Sequence, residues 1–270
     1  MAPSDRVRTF HELHQSGCFV IPNPWDRGSA RLLAQLGFPA LASTSSGFAW
    51  SMGRPDNGVT LDQALAHFQA VAQAVEIPVS ADFEHGFADQ PAQVAEHVSA
   101  AVRTGIAGLS IEDSTGDDAN PLYAFDLAVE RIRAARAAID ASGTGVLLTG
   151  RSEGFVAGRP DLAETIRRLT AYAAAGADCL FAPGIKNVAD ITAVVRAVAP
   201  KPVNVLVGSD WTTVPQLAQL GVRRISTGGA LARAAWAGFL TAAKEIAAQG
   251  TFGALAKAVQ LSGDMNRAFS

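Results

Sequence analysis

Ala175-Gly176-Ala177-Asp178-Cys179-Leu180-Phe181-Ala182 ends an Ala-rich helical stretch on a glycine, takes two further steps and enters a short apolar run. A glycine just past a helix end adopts the left-handed conformation at little cost and turns the chain back on itself. The same arrangement recurs at Leu36-Gly37-Phe38-Pro39-Ala40, Thr104-Gly105-Ile106-Ala107-Gly108 and Leu220-Gly221-Val222-Arg223-Arg224. Working outward, apolar or β-branched runs of strand length lie at residues 18–22, 40–43, 79–82, 108–112, 146–151, 179–182, 203–207 and 224–226. Between them, residues 26–36, 61–75, 92–103, 125–141, 162–175 and 188–198 carry good helix formers at helical spacing. Thr60 and Asp161 stand where N-caps belong, and Asp126 falls in a first turn.

Strand–helix repeats without a second composition regime predict an α/β fold, a (β/α)8 TIM barrel, as a single domain over residues 1–270. A doubly wound open sheet is the competing architecture. The first strand-to-helix turn, Pro22-Asn23-Pro24-Trp25-Asp26, has no GxGxxG phosphate loop, which counts against it. Residues 230–248 and 252–260 read as further helices beyond a minimal barrel. The C-terminal helices within 230–270 are expected to cap the barrel or to pack on a partner subunit.

The chain has 270 residues, 49% of them hydrophobic and 17% charged, enough apolar material for a large core. Its net charge of −3 and scattered Lys/Arg give no basic stripe, so neither nucleic acid nor an anionic membrane is expected as partner. Cys18 and Cys179 lie far apart and outside any zinc or disulfide spacing. The first residues hold no apolar run of signal-peptide type, and no stretch approaches the ~20 apolar residues of a membrane span. A soluble, cytoplasmic location is the resulting expectation.

In such a barrel the chemistry lies at the strand C-termini and the loops after them. Those positions hold Ser45-Ser46-Gly47 and the loop residue Asp56, then Asp82-Phe83-Glu84-His85, Glu112-Asp113, Arg151-Ser152-Glu153 and Asn204. Asp56, Asp82, Glu84 and Glu112 are expected to converge. Carboxylates crowded together repel and raise one another's pKa, and a hard cation such as Mg²⁺ relieves this, taking one or two directly and the rest through water. Asp82 and Glu84, two apart on an extended chain, would point the same way. Arg151 suits two-pronged capture of a carboxylate or phosphonate, or else a salt bridge to Glu153 or Glu112. The amides of Ser45, Ser46 and Gly47 could form an anion nest or a plain turn, and His85 could shuttle a proton or merely support a neighbour.

With these residues the sequence resembles the isocitrate lyase/phosphoenolpyruvate mutase superfamily over nearly its whole length. The superfamily's third-strand Asp-x-Asp-x-Gly-x-Gly run reads here Asp82-Phe83-Glu84-His85-Gly86-Phe87-Ala88, with Glu for the second Asp and Ala for the last Gly. Ser46-Gly47, Asp56, Glu112-Asp113 and Arg151 match the anion loop, loop Asp, Glu-Asp pair and fifth-strand Arg. The resemblance implies a Mg²⁺- or Mn²⁺-dependent barrel acting on 2-oxo or 2-hydroxy acids through a metal-stabilised enolate. It also implies homo-oligomers, tetramers of helix-swapped dimers. The lyases' Lys-Lys/Arg-Cys-Gly-His loop is replaced by Ser114-Thr115-Gly116-Asp117-Asp118-Ala119-Asn120-Pro121, which has no Cys. Asn120 keeps the spacing of the C–P enzymes' loop Asn but lacks their Lys, whereas Asn204 resembles the lyases' strand-seven Asn. Cleavage of a C–C bond in a small 2-oxo or 2-hydroxy acid is the expected activity. The alternatives are C–P chemistry on phosphonopyruvate or phosphoenolpyruvate, and a 2-oxo acid binder with little turnover.

Overall fold

The computed structural model describes residues 4–270. Its strands are β1 (Phe19–Ile21), β2 (Leu41–Ala42), β3 (Val79–Asp82), β4 (Gly108–Glu112), β5 (Leu147–Arg151), β6 (Cys179–Phe181), β7 (Val203–Leu206) and β8 (Arg224–Ser226). All pair in parallel in the order β1-β8-β7-β6-β5-β4-β3-β2. One amide, Ala42 N to Pro22 O at 3.1 Å, bridges the remaining gap between β1 and β2. The sheet is thus a nearly closed barrel, as the repeat pattern predicts. The turn glycines behave as their positions require: Gly37, Gly105, Gly176 and Gly221 all have φ between 84° and 107°.

The surrounding helices are α1 (Asp5–Gln15), α2 (Arg27–Gln35), α3 (Ser45–Ser51), α4 (Leu61–Ala74), α5 (Pro91–Ala101), α6 (Phe125–Ser142), α7 (Leu162–Ala174), α8 (Val188–Val198), α9 (Val214–Gln219), α10 (Ala230–Gln249), α11 (Gly253–Ser262) and α12 (Met265–Phe269). Local chemistry sets many of their starts. Thr60 and Asp161 accept the amides of Gln63 and Glu164, as N-caps do. Helix α5 opens one residue earlier than the helical spacing suggests, on Pro91, and passes into a 3₁₀ turn at Val102–Thr104.

Helix α1, which composition alone did not reveal, bears on the lower, N-terminal end of the barrel. Phe10 is fully buried, its ring edge-on to His14 at 4.6 Å, and His14 is edge-on to Phe19 of β1 at 5.1 Å. Phe10 also lies so close to Gly108 that a β-carbon there would meet its ring at 2.5 Å. Phe10→Ala is expected to cost about 3 to 5 kcal/mol in unfolding free energy, measured by urea denaturation, because the cavity opens under a packed floor.

At the other end of the chain, α12 returns to the chain's own α2: the Gln35 side chain donates to Ala268 O at 2.6 Å, and Arg31 lies over the Phe269 ring at 5.5 Å. Trp236, Phe239 and Leu240 of α10, Phe252 just before α11, and Val259 on it remain exposed. Among the described residues no helix is long and apolar enough to cross a membrane.

Candidate active site

The C-terminal ends of the strands surround a cavity of about 180 Å³. Its wall includes Ser45, Ser46, Asp56, Asp82, Arg151 and Asn204 from the expected set, joined by Asn23, Ser80, Ser110, Arg224 and Ser226. A barrel interior is ordinarily packed with branched aliphatics. Here Ser80, Ser110 and Ser226 keep the upper part open and polar.

Arg151 organises the mouth. It ends β5 beside Glu112 of β4, its register partner. Its Nη1 lies 3.1 Å from Asp82 Oδ1 and 3.0 Å from Glu112 Oε2, and its Nε donates to Glu153 Oε1. Burial alone would lower its pKa, but Glu112, Glu153 and Asp82 hold it well above the ordinary value. Burial raises Glu112 well above the carboxylate range against the pull of Arg151, and it raises Glu153 in the same way. The salt-bridge reading of Arg151 is therefore present in full, and one guanidinium serves three acids. Beneath it, Asp113 locks the strand ends: its carboxylate accepts the Glu153 amide (2.7 Å), the Tyr172 hydroxyl (2.7 Å) and Arg168 Nη1 (3.1 Å).

Asp82 has both oxygens engaged, Oδ1 by Arg151 and Oδ2 by the Ser45 amide at 2.9 Å. Asp56 sits at the exposed rim, and desolvation of its carboxyl, then the charge of Asp82, raises its pKa. Glu84 is buried, and burial, followed by the charges of Asp82 and Asp56, pushes it up to about 8. A carboxyl whose folded pKa lies above its ordinary 4.5 contributes its full stability at low pH and loses it as pH rises through the interval up to the folded value. The metal-free protein is accordingly expected to lose stability between pH ~5 and ~8, and to do so less when Glu84 is Gln; denaturation midpoints across that range measure it.

Several expected residues take other places. Ser45-Ser46-Gly47 is not a nest but the first turn of α3, capped by Thr44. The Ser45 amide is taken by Asp82 and the Gly47 amide by Thr44 Oγ1. Gly47 is buried, with no room for a side chain between Thr44, Trp25 and Ala232, so its role is packing. The chain is not extended at Glu84, whose φ is +49°, so the alternation that would carry Asp82 and Glu84 to one face breaks there. Its carbonyl accepts the Glu112 amide at 3.0 Å. His85 does not line the cavity; its carbonyl accepts from Arg131 and its ring neighbours Phe87. Asn120 lies in an exposed loop, its amide donating to Asp117 O, away from the cavity wall.

Among the described residues no three His, Cys, Asp or Glu side chains sit close enough to grip one ion together. The expected set of Asp56, Asp82, Glu84 and Glu112 is thus not a closed cage. The donor chemistry still fits Mg²⁺, which keeps most of its waters and needs only one or two carboxylates. Acids raised by burial and then by their neighbours' charge are what a cation would relieve.

A parallel barrel that gathers acids and an arginine around a cavity at its strand C-termini has the architecture of a barrel enzyme. Comparison with known proteins specifies the class. The chain belongs to the phosphoenolpyruvate phosphomutase family, whose family model matches residues 10–247, and with it to the PEP mutase/isocitrate lyase superfamily of lyases and mutases. A Burkholderia cenocepacia J2315 protein described only as a lyase or mutase is 48% identical, with TM-score 0.93 and coverage of 98% of this chain and 96% of that one. Oxaloacetate decarboxylase of Pseudomonas putida strain GB-1 is 30% identical over 82% of this chain and 78% of its own length. Oxaloacetate acetylhydrolase in complex with oxalate is 26% identical, with TM-score 0.84 and coverage of 94% and 90%.

Proposed function

We propose that this enzyme cleaves a C–C bond in a small 2-oxo or 2-hydroxy dicarboxylic acid of oxaloacetate or alkylmalate type, with Mg²⁺ or Mn²⁺ as cofactor. One observation carries the reading: Asp82 and Arg151, paired at 3.1 Å, face a small cavity, and the loop of residues 114–121, which follows β4 at the same barrel end, has no cysteine or lysine. The lack of a loop cysteine disfavours cleavage that takes its proton from a thiol in that loop. The lack of a loop lysine disfavours transfer of a phosphoryl group, which asks for cationic clamping. Loss of carbon dioxide from a 2-oxo diacid needs neither at the step where the bond breaks. The similarity to oxaloacetate decarboxylase points the same way.

In this reading Asp82 would hold the metal directly, and Asp56, Glu84 and Glu112 would act on it through water. When bound, it would supply Lewis-acid polarisation at the 2-oxo oxygen. Arg151, its charge shared with Asp82, Glu112 and Glu153, orients the carboxylate next to the 2-oxo group. Ser45, Ser46 and Asn204 donate hydrogen bonds from the walls. The loop closes over the site and limits water. The exposed apolar side chains of α10 and α11, together with Phe252, support association of copies into a dimer or tetramer, with exchange of the C-terminal helices as one way to cover them.

Chelation tests this reading against a 2-oxo acid binder without turnover. EDTA is expected to remove turnover and added Mg²⁺ to restore it; a binder would change only its melting temperature.

A further inference from the structure

Two guanidinium groups line the cavity, and they differ in one respect. Arg151 faces three carboxylates. Arg224, on β8, is only 5% exposed and pairs with no carboxylate among the described residues. Its partners are neutral: Nε donates to Asn204 Oδ1 at 3.0 Å, Nη2 to Thr149 Oγ1 at 3.1 Å, and Nη1 lies 3.3 Å from His14 Nε2. His14 Nδ1 contacts Phe10 O at 2.7 Å, which leaves Nε2 as the acceptor, and burial and then Arg224 lower its pKa to about 3. It is therefore neutral. A guanidinium has five N–H donors, so two remain uncommitted.

A buried cation without a counter-charge is costly unless something anionic completes it. The position of Arg224 says what that is. Thr149, its hydrogen-bond partner, lies two residues before Arg151 on β5, so the guanidinium sits roughly 7 Å deeper than the mouth, at about 3.3 Å of rise per residue. The lining that the two arginines share also carries the small hydroxyl side chains of Ser80, Ser110 and Ser226. Arg151 at the mouth and the Arg224 guanidinium, free of any carboxylate partner among the described residues, deeper in the barrel give the cavity two cationic ends.

We propose that Arg224 receives the distal carboxylate of the ligand, so that the cavity selects diacids over monoacids of the same length. This rests on reading the cavity as the substrate site, and it adds a residue that the superfamily motifs in the sequence do not mark. The probe pair is malate and 2-hydroxybutanoate, which differ only by a methyl group in place of the distal carboxylate. Calorimetry in Mg²⁺ is expected to show malate binding to the wild type about tenfold or more tighter, the worth of a charge-assisted hydrogen bond. Arg224→Met should erase that preference by weakening malate while leaving 2-hydroxybutanoate unchanged. Neutral replacement of a buried ion is compatible with folding; Arg224→Gln, which can still donate to Asn204, replaces it if the Met variant does not fold. A wild type that does not prefer malate, or a folded variant that still does, overturns the proposal. Turnover is scored separately. Malate preference that depends on Arg224, without turnover of any diacid, leaves this assignment standing and removes the lyase reading. Diacid turnover without that preference does the reverse.

Discussion

Asp82→Ala is expected to lower kcat by about a thousand-fold or more, the scale of losing a principal electrostatic stabiliser, and to raise the Mg²⁺ dissociation constant by orders of magnitude. Asp82 is the group on which the mouth converges: one oxygen meets Arg151 and the other the first amide of α3, while Asp56 and Glu84 both feel its charge. Truncation removes the proposed metal ligand and frees Arg151 to turn wholly toward Glu112 and Glu153. The fold should survive, since Asp82 is only partly buried at a strand end. Kinetics and a metal titration on the same folded sample check both parts, and normal activity in that variant would sink the metal-site assignment.

Arg151→Gln is expected to remove activity and, unlike Asp82→Ala, to cost stability as well. Removing one partner of a buried ion cluster typically costs about 3 to 5 kcal/mol, because the remaining charges lose their compensation. Here Glu112 and Glu153 have folded pKa values already raised by burial, and without Arg151 they rise further. Such acids stabilise the folded chain fully at low pH and lose that contribution as pH climbs toward their folded values. The destabilisation of Arg151→Gln should therefore be small in acid and grow toward neutral and alkaline pH. Urea denaturation of both proteins across that range measures the difference. A loss that is small and flat with pH would mean that Glu112 and Glu153 do not depend on this guanidinium.

The strands were legible because each apolar run is bounded by a turn glycine or a helix, leaving little freedom in where it ends. β3, β4 and β8 lie at the positions that pattern predicts, and the others differ by a residue or so at their ends. Helix α1 was harder, being polar overall, although Val7, Phe10 and His14 form the buried helical stripe that spacing could have exposed. Ser45-Ser46-Gly47 carries turn composition, yet tertiary packing of Gly47 against Trp25 and Ala232 makes it helix. Asp82, Glu112 and Arg151 were readable from strand ends, and Asn204 from its place within β7. His85 was not, because the reading extended strand geometry past Asp82, where the backbone of Glu84 turns left-handed. Arg224 and the Asp113–Arg168–Tyr172 lock depend on neighbours distant in sequence. For Arg224 a local clue existed: strand alternation places it on the same face as Ser226, toward the barrel interior.

The most direct measurement offers the enzyme oxaloacetate, alkylmalates, 2-methylisocitrate and phosphonopyruvate in Mg²⁺, and follows released 2-oxo acid, carboxylate and phosphate against the rate in Mg²⁺ alone. A dicarboxylic acid is expected to be cleaved, yielding pyruvate or another 2-oxo acid, with no phosphate from phosphonopyruvate. Phosphate released from phosphonopyruvate, with the dicarboxylic acids left intact, would contradict it and assign the cavity to C–P chemistry.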